Sequence, residues 1–254
     1  RLKTFNDFPH IDDSNIDNIL YSAKVYILEN NLVENDYHNN EHMVNVFNNA
    51  IILFNHYKDE YKLTPYNKLS LGLAALFHDF NHSGGKLKDS ENIELALVAL
   101  KEFLVTINKS DLYDDIENII IATEFPHLDI DLDILQKIIR DADTMGGIIE
   151  GWKSVVTNLA SEYNKTLVEF IPSQIKFLDT VKFNTDYCNG LLKNNKEKII
   201  EFVNLVNYVT YEFENIPFET LNEINKLKPV LPKPSVNRLI QHRLAEKDFV
   251  NNLN

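Results

Sequence analysis

The chain has 254 residues, 44 % of them apolar and 25 % charged, the balance of an ordinary globular protein with room for one large domain or two small ones. A formal net charge of −13 argues against polymeric nucleic acid as the main partner, since such proteins carry a basic face. It does not exclude a small phosphate ester at a site where bound cations set the local field. The single cysteine, Cys188, rules out an intramolecular disulfide, and no apolar run approaches the roughly 18 residues needed to cross a bilayer. A cytoplasmic protein without a membrane partner is therefore expected. The chain opens at Arg1 without an initiator Met or a secretory signal, which points to a trimmed chain or a piece of a longer protein.

Helical spacing recurs almost throughout. Asp12-Asp13-Ser14 reads as an N-cap ahead of Ile16, Ile19, Leu20, Ala23 and Ile27, which repeat every three or four residues. A second helix is expected over 38–54. A third, Leu69 to Phe77 with Pro65 in its first turn, is apolar on nearly all sides, the mark of a central buried helix. Ser90 reads as the cap of a fourth, and further helices fit 111–124, 131–142, 145–160, 168–193, 195–213 and 235–250. Strand alternation is nearly absent, so the expected fold is all-α, a compact multi-helix domain with ligands projecting inward. Pro217, Pro229, Pro232 and Pro234 break helices and stiffen a connector, so the expected division is a catalytic domain over 1–216, then a Pro-rich connector and C-terminal helix over 217–254.

Three short strings carry imidazoles and carboxylates: Tyr37-His38-Asn39-Asn40-Glu41-His42, Phe77-His78-Asp79-Phe80-Asn81-His82 and Asp141-Ala142-Asp143. His38 and His42 stand four apart and share a face if both are helical. His78-Asp79 ends the most apolar helix, where a charged pair is costly unless a partner or an ion satisfies it. Asp141 and Asp143 diverge on a helix, so only one reaches a given point. Alone, each string has an ordinary explanation: a surface pair, a helix end that reaches water, an exposed acidic turn. Together they make a donor set suited to zinc, manganese or magnesium, with no soft thiolate required. Other chemistries lack their signatures. Gly84-Gly85 and Gly146-Gly147 have no accompanying Lys-Ser/Thr, no Gly-x-Ser-x-Gly elbow occurs, and Cys188 reads as a core thiol.

The order of these strings is that of the HD-type metal phosphohydrolases, and within them the chain resembles the class I cyclic-nucleotide phosphodiesterase catalytic domain. Tyr37-His38-Asn39-x-x-His42 resembles its opening signature, and Ala74-Ala75-x-x-His78-Asp79-x-x-His82-x-Gly84 its second. Ile93 to Leu97 is similar to the acidic helix that follows, Ala122-Thr123-Glu124 to the segment before the last ligand, and Ser173-Gln174-x-x-Phe177 to the substrate-pocket signature. The likeness runs over roughly residues 37–180.

The resemblance implies that His42, His78, Asp79 and Asp143 hold a first metal, commonly zinc in that family, with Asp79 reaching a second, commonly magnesium or manganese. It implies His38 as the general acid for the leaving O3′, with Glu94 and His82 ordering it. Tyr37, Gln174 and Phe177 would bind substrate, Gln174 by hydrogen bonds to a purine and Phe177 by stacking. The implied reaction is hydrolysis of a 3′,5′-cyclic purine nucleotide, cAMP or cGMP, to the 5′-monophosphate by a bridging hydroxide. The expected partner is that small molecule, and a homodimer is left open. Three features depart from the family. Asp143 is followed by Thr144-Met145-Gly146-Gly147 where the family has Asn and Pro, Phe80-Asn81 replaces an acidic position, and the C-terminal part is reduced. The alternatives are an HD-type phosphohydrolase acting on other nucleotides or cyclic oligonucleotides, and a non-catalytic cyclic-nucleotide-binding module.

Overall fold

The computed structural model describes residues 13–127, 130–149, 152–194, 209–211, 218–227 and 229–241. Their regular secondary structure is almost entirely helical, as expected for an all-α fold. In chain order the helices are α1 (Asp13–Asn30), α2 (Asn40–Tyr57), α3 (Pro65–Phe77), α4 (Asp89–Thr106), α5 (Tyr113–Ile121), α6 (Ile134–Thr144), α7 (Trp152–Glu162) and α8 (Leu167–Thr180). Residues 186–194 form α9, followed by α10 (Phe218–Leu227) and α11 (Pro234–Gln241). The described residues divide into two compact units, one up to Tyr163 together with Lys182–Asn189, the other Asn164–Val181 with the residues from Gly190 onward. The expected boundary at 217 is not where they divide.

In the first unit α3 is the central element, packed by α1, α2, α4, α5 and α6. Leu69, Leu71, Leu73, Ala74, Ala75, Leu76 and Phe77 are all buried, which accounts for its apolar sequence on every side. Thr64 caps it with Asn67 in a reciprocal box, and Pro65 occupies the first turn. Gly72 lets α1 close onto α3, since a Cβ there would stand 2.7 Å from Leu20 Cδ2. Tyr26, Phe77, Phe80 and Phe103 form an aromatic cluster at the end of α3 that delivers His78 and Asp79, with Phe77 and Phe103 centroids 5.2 Å apart. Phe80 thus fills core space where the resembled family has an acidic position.

Several boundaries differ from the sequence expectation for local reasons. α2 begins at Asn40, not His38, because Asn39 is extended (φ −137°) and its side chain accepts from the N–H groups of Glu41 and His42. α4 begins at Asp89 with Lys88 as its cap residue, so Ser90 lies inside the first turn. The stretch 145–160 is a short 3₁₀ turn, Met145–Gly147, followed by α7. The single helix expected over 168–193 is broken after Thr180. There Val181 is extended, and Asn184 and Thr185 hydrogen-bond to Asp141.

The second unit contains an unexpected pair of parallel strands, β1 (Val209–Thr210) and β2 (Val230–Leu231), registered Val209 to Val230 and Thr210 to Leu231. Parallel neighbours need a crossover, and α10 lies between them in sequence. Part of the stretch expected to be helical over 195–213 is therefore strand, its residues 195–208 lying outside the described ones. The expected connector after Pro217 contains ordered helix and strand. Of the final helix expected over 235–250, residues 242–250 lie outside the described residues. No helix among the described residues is long and apolar enough to cross a membrane.

Candidate metal centre

Four residues from three helix ends meet in the first unit. His42 comes from the first turn of α2, His78 and Asp79 from the turn that ends α3, and Asp143 from the last turn of α6. His42 Nε2 lies 3.1 Å from Asp79 Oδ2 and 3.2 Å from Asp143 Oδ1. His78 Nε2 lies 3.2 Å from Asp79 Oδ2, 3.5 Å from Asp143 Oδ1 and 3.4 Å from His42 Nε2. A tetrahedral ion with ligands about 2.0–2.1 Å away has ligand–ligand edges of about 3.3–3.4 Å, so this set has the spacing of a divalent cation site. His78 Nδ1 is 2.9 Å from the Ala75 carbonyl. That oxygen can only accept, which puts the ring proton on Nδ1 and leaves Nε2 as the ligand atom.

Electrostatics gives the same picture from the side of the proton. Burial opposes charge on His42 and His78, yet Asp79 and Asp143 overcome it and raise both imidazoles above the ordinary value, His78 well above. Burial likewise opposes charge on Asp79 and Asp143, but the histidines hold both carboxylates below their usual range. Without a cation the cluster therefore keeps positive charge as protons, which a divalent ion must displace.

A second cluster of His38, His82 and Glu162 adjoins the first. His38 lies in the turn before α2, and its ring stacks on His82 with centroids 3.8 Å apart. Glu162, at the end of α7, fixes His38 on two sides. One carboxylate oxygen pairs with His38 Nδ1, and the other accepts from the backbone N–H groups of Tyr37 and His38, each at 2.9 Å. These contacts outweigh burial and pull Glu162 down to about 2. His82 is buried, and desolvation pushes its pKa down to about 4. Its Nδ1 accepts from the Gly84 N–H at 3.1 Å, and its Nε2 lies 3.0 Å from the Asn92 amide. Asn35 joins the two loops by donating to the carbonyls of His38 and His82. Gly84 meets this tie at φ +67°, with Asn35 Oδ1 2.7 Å from where a Cβ would stand.

The structure thus brings together seven of the expected residues: Tyr37, His38, His42, His78, Asp79, His82 and Asp143. Tyr37 packs on His42 with centroids 4.4 Å apart. Burial, then the nearby Asp143, Asp79 and Glu162, raise its hydroxyl well above the ordinary value. Glu94 is a correction. It is exposed on α4 and makes no hydrogen bond among the described residues, because Asn92, two positions earlier, takes the inward face. Glu162, which sequence reasoning missed, stands against His38 where Glu94 was expected. Its signal was an acidic residue in register with Val155 and Leu159 on α7. Gln174 and Phe177 belong to the second unit, three apart on α8, Gln174 buried and Phe177 half-buried. Asp141 faces away from the ion cluster, as its spacing from Asp143 requires. It is 1 % exposed and accepts from the backbone and side chains of Asn184 and Thr185 at 2.6–2.9 Å.

The comparisons with known proteins divide along the chain. The family model described as 3′5′-cyclic nucleotide phosphodiesterase matches residues 37–88, the stretch holding Tyr37, His38, His42, His78, Asp79 and His82. That stretch is phosphodiesterase-like. A different family model, the ribonucleotide synthetase preATP-grasp domain, matches residues 181–241. The chain is 40 % identical over 60 residues to the bifunctional purine synthesis protein purC/E of Dictyostelium discoideum. That match covers 24 % of this chain and spans only 6 % of the other protein's length. The fold is similar to that of Bacillus subtilis YpgQ, crystallised in complex with ADP, with a TM-score of 0.50 and 19 % identity over 75 % of this chain and 94 % of YpgQ.

Proposed function

We propose that the first unit is a metal-dependent phosphodiesterase that opens a 3′,5′-cyclic purine nucleotide, cAMP or cGMP, to the 5′-monophosphate. The observation that carries this reading is the pairing of a four-residue cation cluster with an adjacent histidine outside it, His38, held by Glu162. His42, His78, Asp79 and Asp143 would hold the tighter ion, zinc by the family resemblance, and Asp79 would also reach a second, magnesium or manganese. Bound there, the cations supply Lewis acidity to the phosphoryl oxygens and an activated water. His38 gives its proton to the leaving alkoxide. Glu162 anchors Nδ1 of that imidazole, leaving Nε2 as the nitrogen that delivers the proton. Burial keeps His82 neutral near pH 7, so it supports the His38 ring without repelling its charge. Tyr37 is the proposed substrate contact of the first unit, and Gln174 and Phe177 of the second unit are kept as proposed purine contacts by the family resemblance alone.

The test is product analysis after incubating purified protein with cyclic mono- and oligonucleotides plus manganese or magnesium. Formation of a 5′-monophosphate from cAMP or cGMP supports the reading. Hydrolysis of a nucleoside di- or triphosphate instead moves it to another HD-type phosphohydrolase, an alternative supported by the ADP bound to the YpgQ fold. Tight binding without turnover moves it to a non-catalytic binding module. A separate reading applies to the second unit. The match over 181–241 and the parallel β1–α10–β2 arrangement favour a preATP-grasp-like segment there, next to a phosphodiesterase-like one.

A further inference from the structure

His38 and His82 belong to two separate turns, one before α2 and one after α3, yet their rings stack with centroids 3.8 Å apart and planes 27° apart. The Asn35 side chain bonds both turns. Its amide nitrogen donates to the His38 carbonyl at 3.0 Å and to the His82 carbonyl at 2.7 Å, which uses both of its protons. Asn35 is itself fixed, since its own carbonyl accepts from the side chain of Asn39, the cap of α2, at 2.9 Å. Its side-chain oxygen lies against Gly84, whose backbone N–H donates to His82 Nδ1 at 3.1 Å. A Cβ on Gly84 would stand 2.7 Å from that oxygen, and φ there is +67°.

Resting on the phosphodiesterase reading, we infer that Asn35 is a positioning residue, which aims the His38 proton by holding the His82 ring against the His38 ring. Glu162 alone does not aim it. Its carboxylate reaches the His38 backbone N–H and Nδ1, and an imidazole held at one nitrogen still rocks about that contact. The face of the His82 ring closes that rotation. His82 stands there because its turn is tied to that of His38 through one amide, so ring spacing follows backbone spacing over two short side chains. The tie must be a neutral donor. An aspartate would set carboxylate oxygens against two carbonyl oxygens with no proton between them. Aim matters because the proton passes only when donor and leaving oxygen stand about 2.6–3.2 Å apart.

The experiment compares wild type with Asn35→Ala, Gly84→Ala and the double variant, with bound manganese counted and folding checked by circular dichroism. Turnover is measured on cAMP, cGMP and bis(4-nitrophenyl) phosphate, whose leaving group needs no proton. In the absence of manganese, NMR of histidine-labelled protein reads the ring protons of His38 and His82, which the stack displaces through ring currents. Asn35→Ala should lose about 10–100-fold in kcat on the cyclic nucleotides, the usual size for a group that orients another, with KM changed less than about twofold. Its kcat on the aryl diester and its manganese content should stay within about twofold of wild type, since neither depends on proton delivery. Its His38 and His82 ring protons should move toward the positions of unstacked imidazole. Gly84→Ala pushes on the same amide from the other side and should show the same pattern, and the double variant should lose less than the product of the two single losses. Equal losses on aryl and cyclic diesters, unchanged kcat on the cyclic nucleotides, or unchanged ring shifts would overturn the assignment of Asn35. Absence of turnover by wild type on every diester overturns the phosphodiesterase reading instead, while the ring shifts still decide whether Asn35 holds the stack.

Discussion

The two histidine clusters of the first unit are built from the same residue types and sit side by side, yet their surroundings prepare them for different work. In the His42, His78, Asp79 and Asp143 cluster, two carboxylates face two imidazoles at cation-site spacing, and charge accumulates on both kinds of group. In the His38, His82 and Glu162 cluster, one imidazole is buried and held neutral while the other is gripped by a single carboxylate. Both combine imidazoles with carboxylates, so the kinds of group alone do not separate them. What separates them is the number of carboxylates facing the rings and how many of those oxygens are already used. Both Glu162 oxygens are spent on Tyr37 and His38, so it serves as a brace for His38.

The sharpest way to break this division is to damage each cluster in turn. Asp143→Ala and His78→Ala should bind little metal and lose activity essentially completely, because removing one ligand leaves the others uncompensated. Metal content and turnover should fall together. His38→Asn should keep its metal and lose roughly 10²–10⁴ in kcat on a cyclic nucleotide, with much less effect on a nitrophenyl diester, whose leaving group needs no proton. Equal losses on both substrates would place His38 in the cation set. Glu162→Gln should keep its metal and cost roughly 10–100-fold in kcat, the usual size for a residue that orients another.

Two aspartates two residues apart sharpen the same contrast on the stability axis. Asp141→Ala should cost about 3 kcal/mol or more, since the charged acceptor of four hydrogen bonds is removed from a buried site. Urea unfolding of metal-free protein should show this loss for Asp141→Ala with metal uptake retained, whereas Asp143→Ala, which removes the carboxylate paired with His42 and His78, should lose metal uptake as well as stability. Protonation adds a pH signature. His82 titrates near 4 folded and about 6.5 unfolded, so its contribution to stability is whole above pH ~6.5 and is lost as pH falls toward 4. His42 and His78 run the other way, because their raised values favour the folded metal-free protein below pH ~6.5, a gain lost as pH rises through the folded values. His82→Asn should therefore flatten the acid limb of the metal-free stability profile.

Much of the first unit was legible because its signals are local. The apolar surround of α3 predicted a central helix, and the order of His42, His78-Asp79 and Asp143 predicted the cation set that meets in space. Glu162 left only a faint signal, its register with Val155 and Leu159, because it reaches His38 across 124 positions and its neighbours form no motif. Glu94 was misplaced because acidic character in a helix says nothing about which face looks inward. Asn92 takes that face at the same helical position as Ala96, Ala99 and Phe103, all buried. The break after Thr180 depended on a loop returning to Asp141, again a contact made far along the chain. The strands β1 and β2 are two residues long, too short for alternation to register.

The central claim is that the first cluster holds the cations while the second handles the proton. The most direct measurement is conversion of cAMP and cGMP to 5′-monophosphate by chelator-stripped wild type and His38→Asn during manganese titration, with bound metal counted at each point. The account predicts equal metal uptake by both proteins, with product formed by wild type only as metal binds and His38→Asn remaining at least 10²-fold slower at saturation. Turnover by metal-free wild type, or weaker metal uptake by His38→Asn, would contradict it.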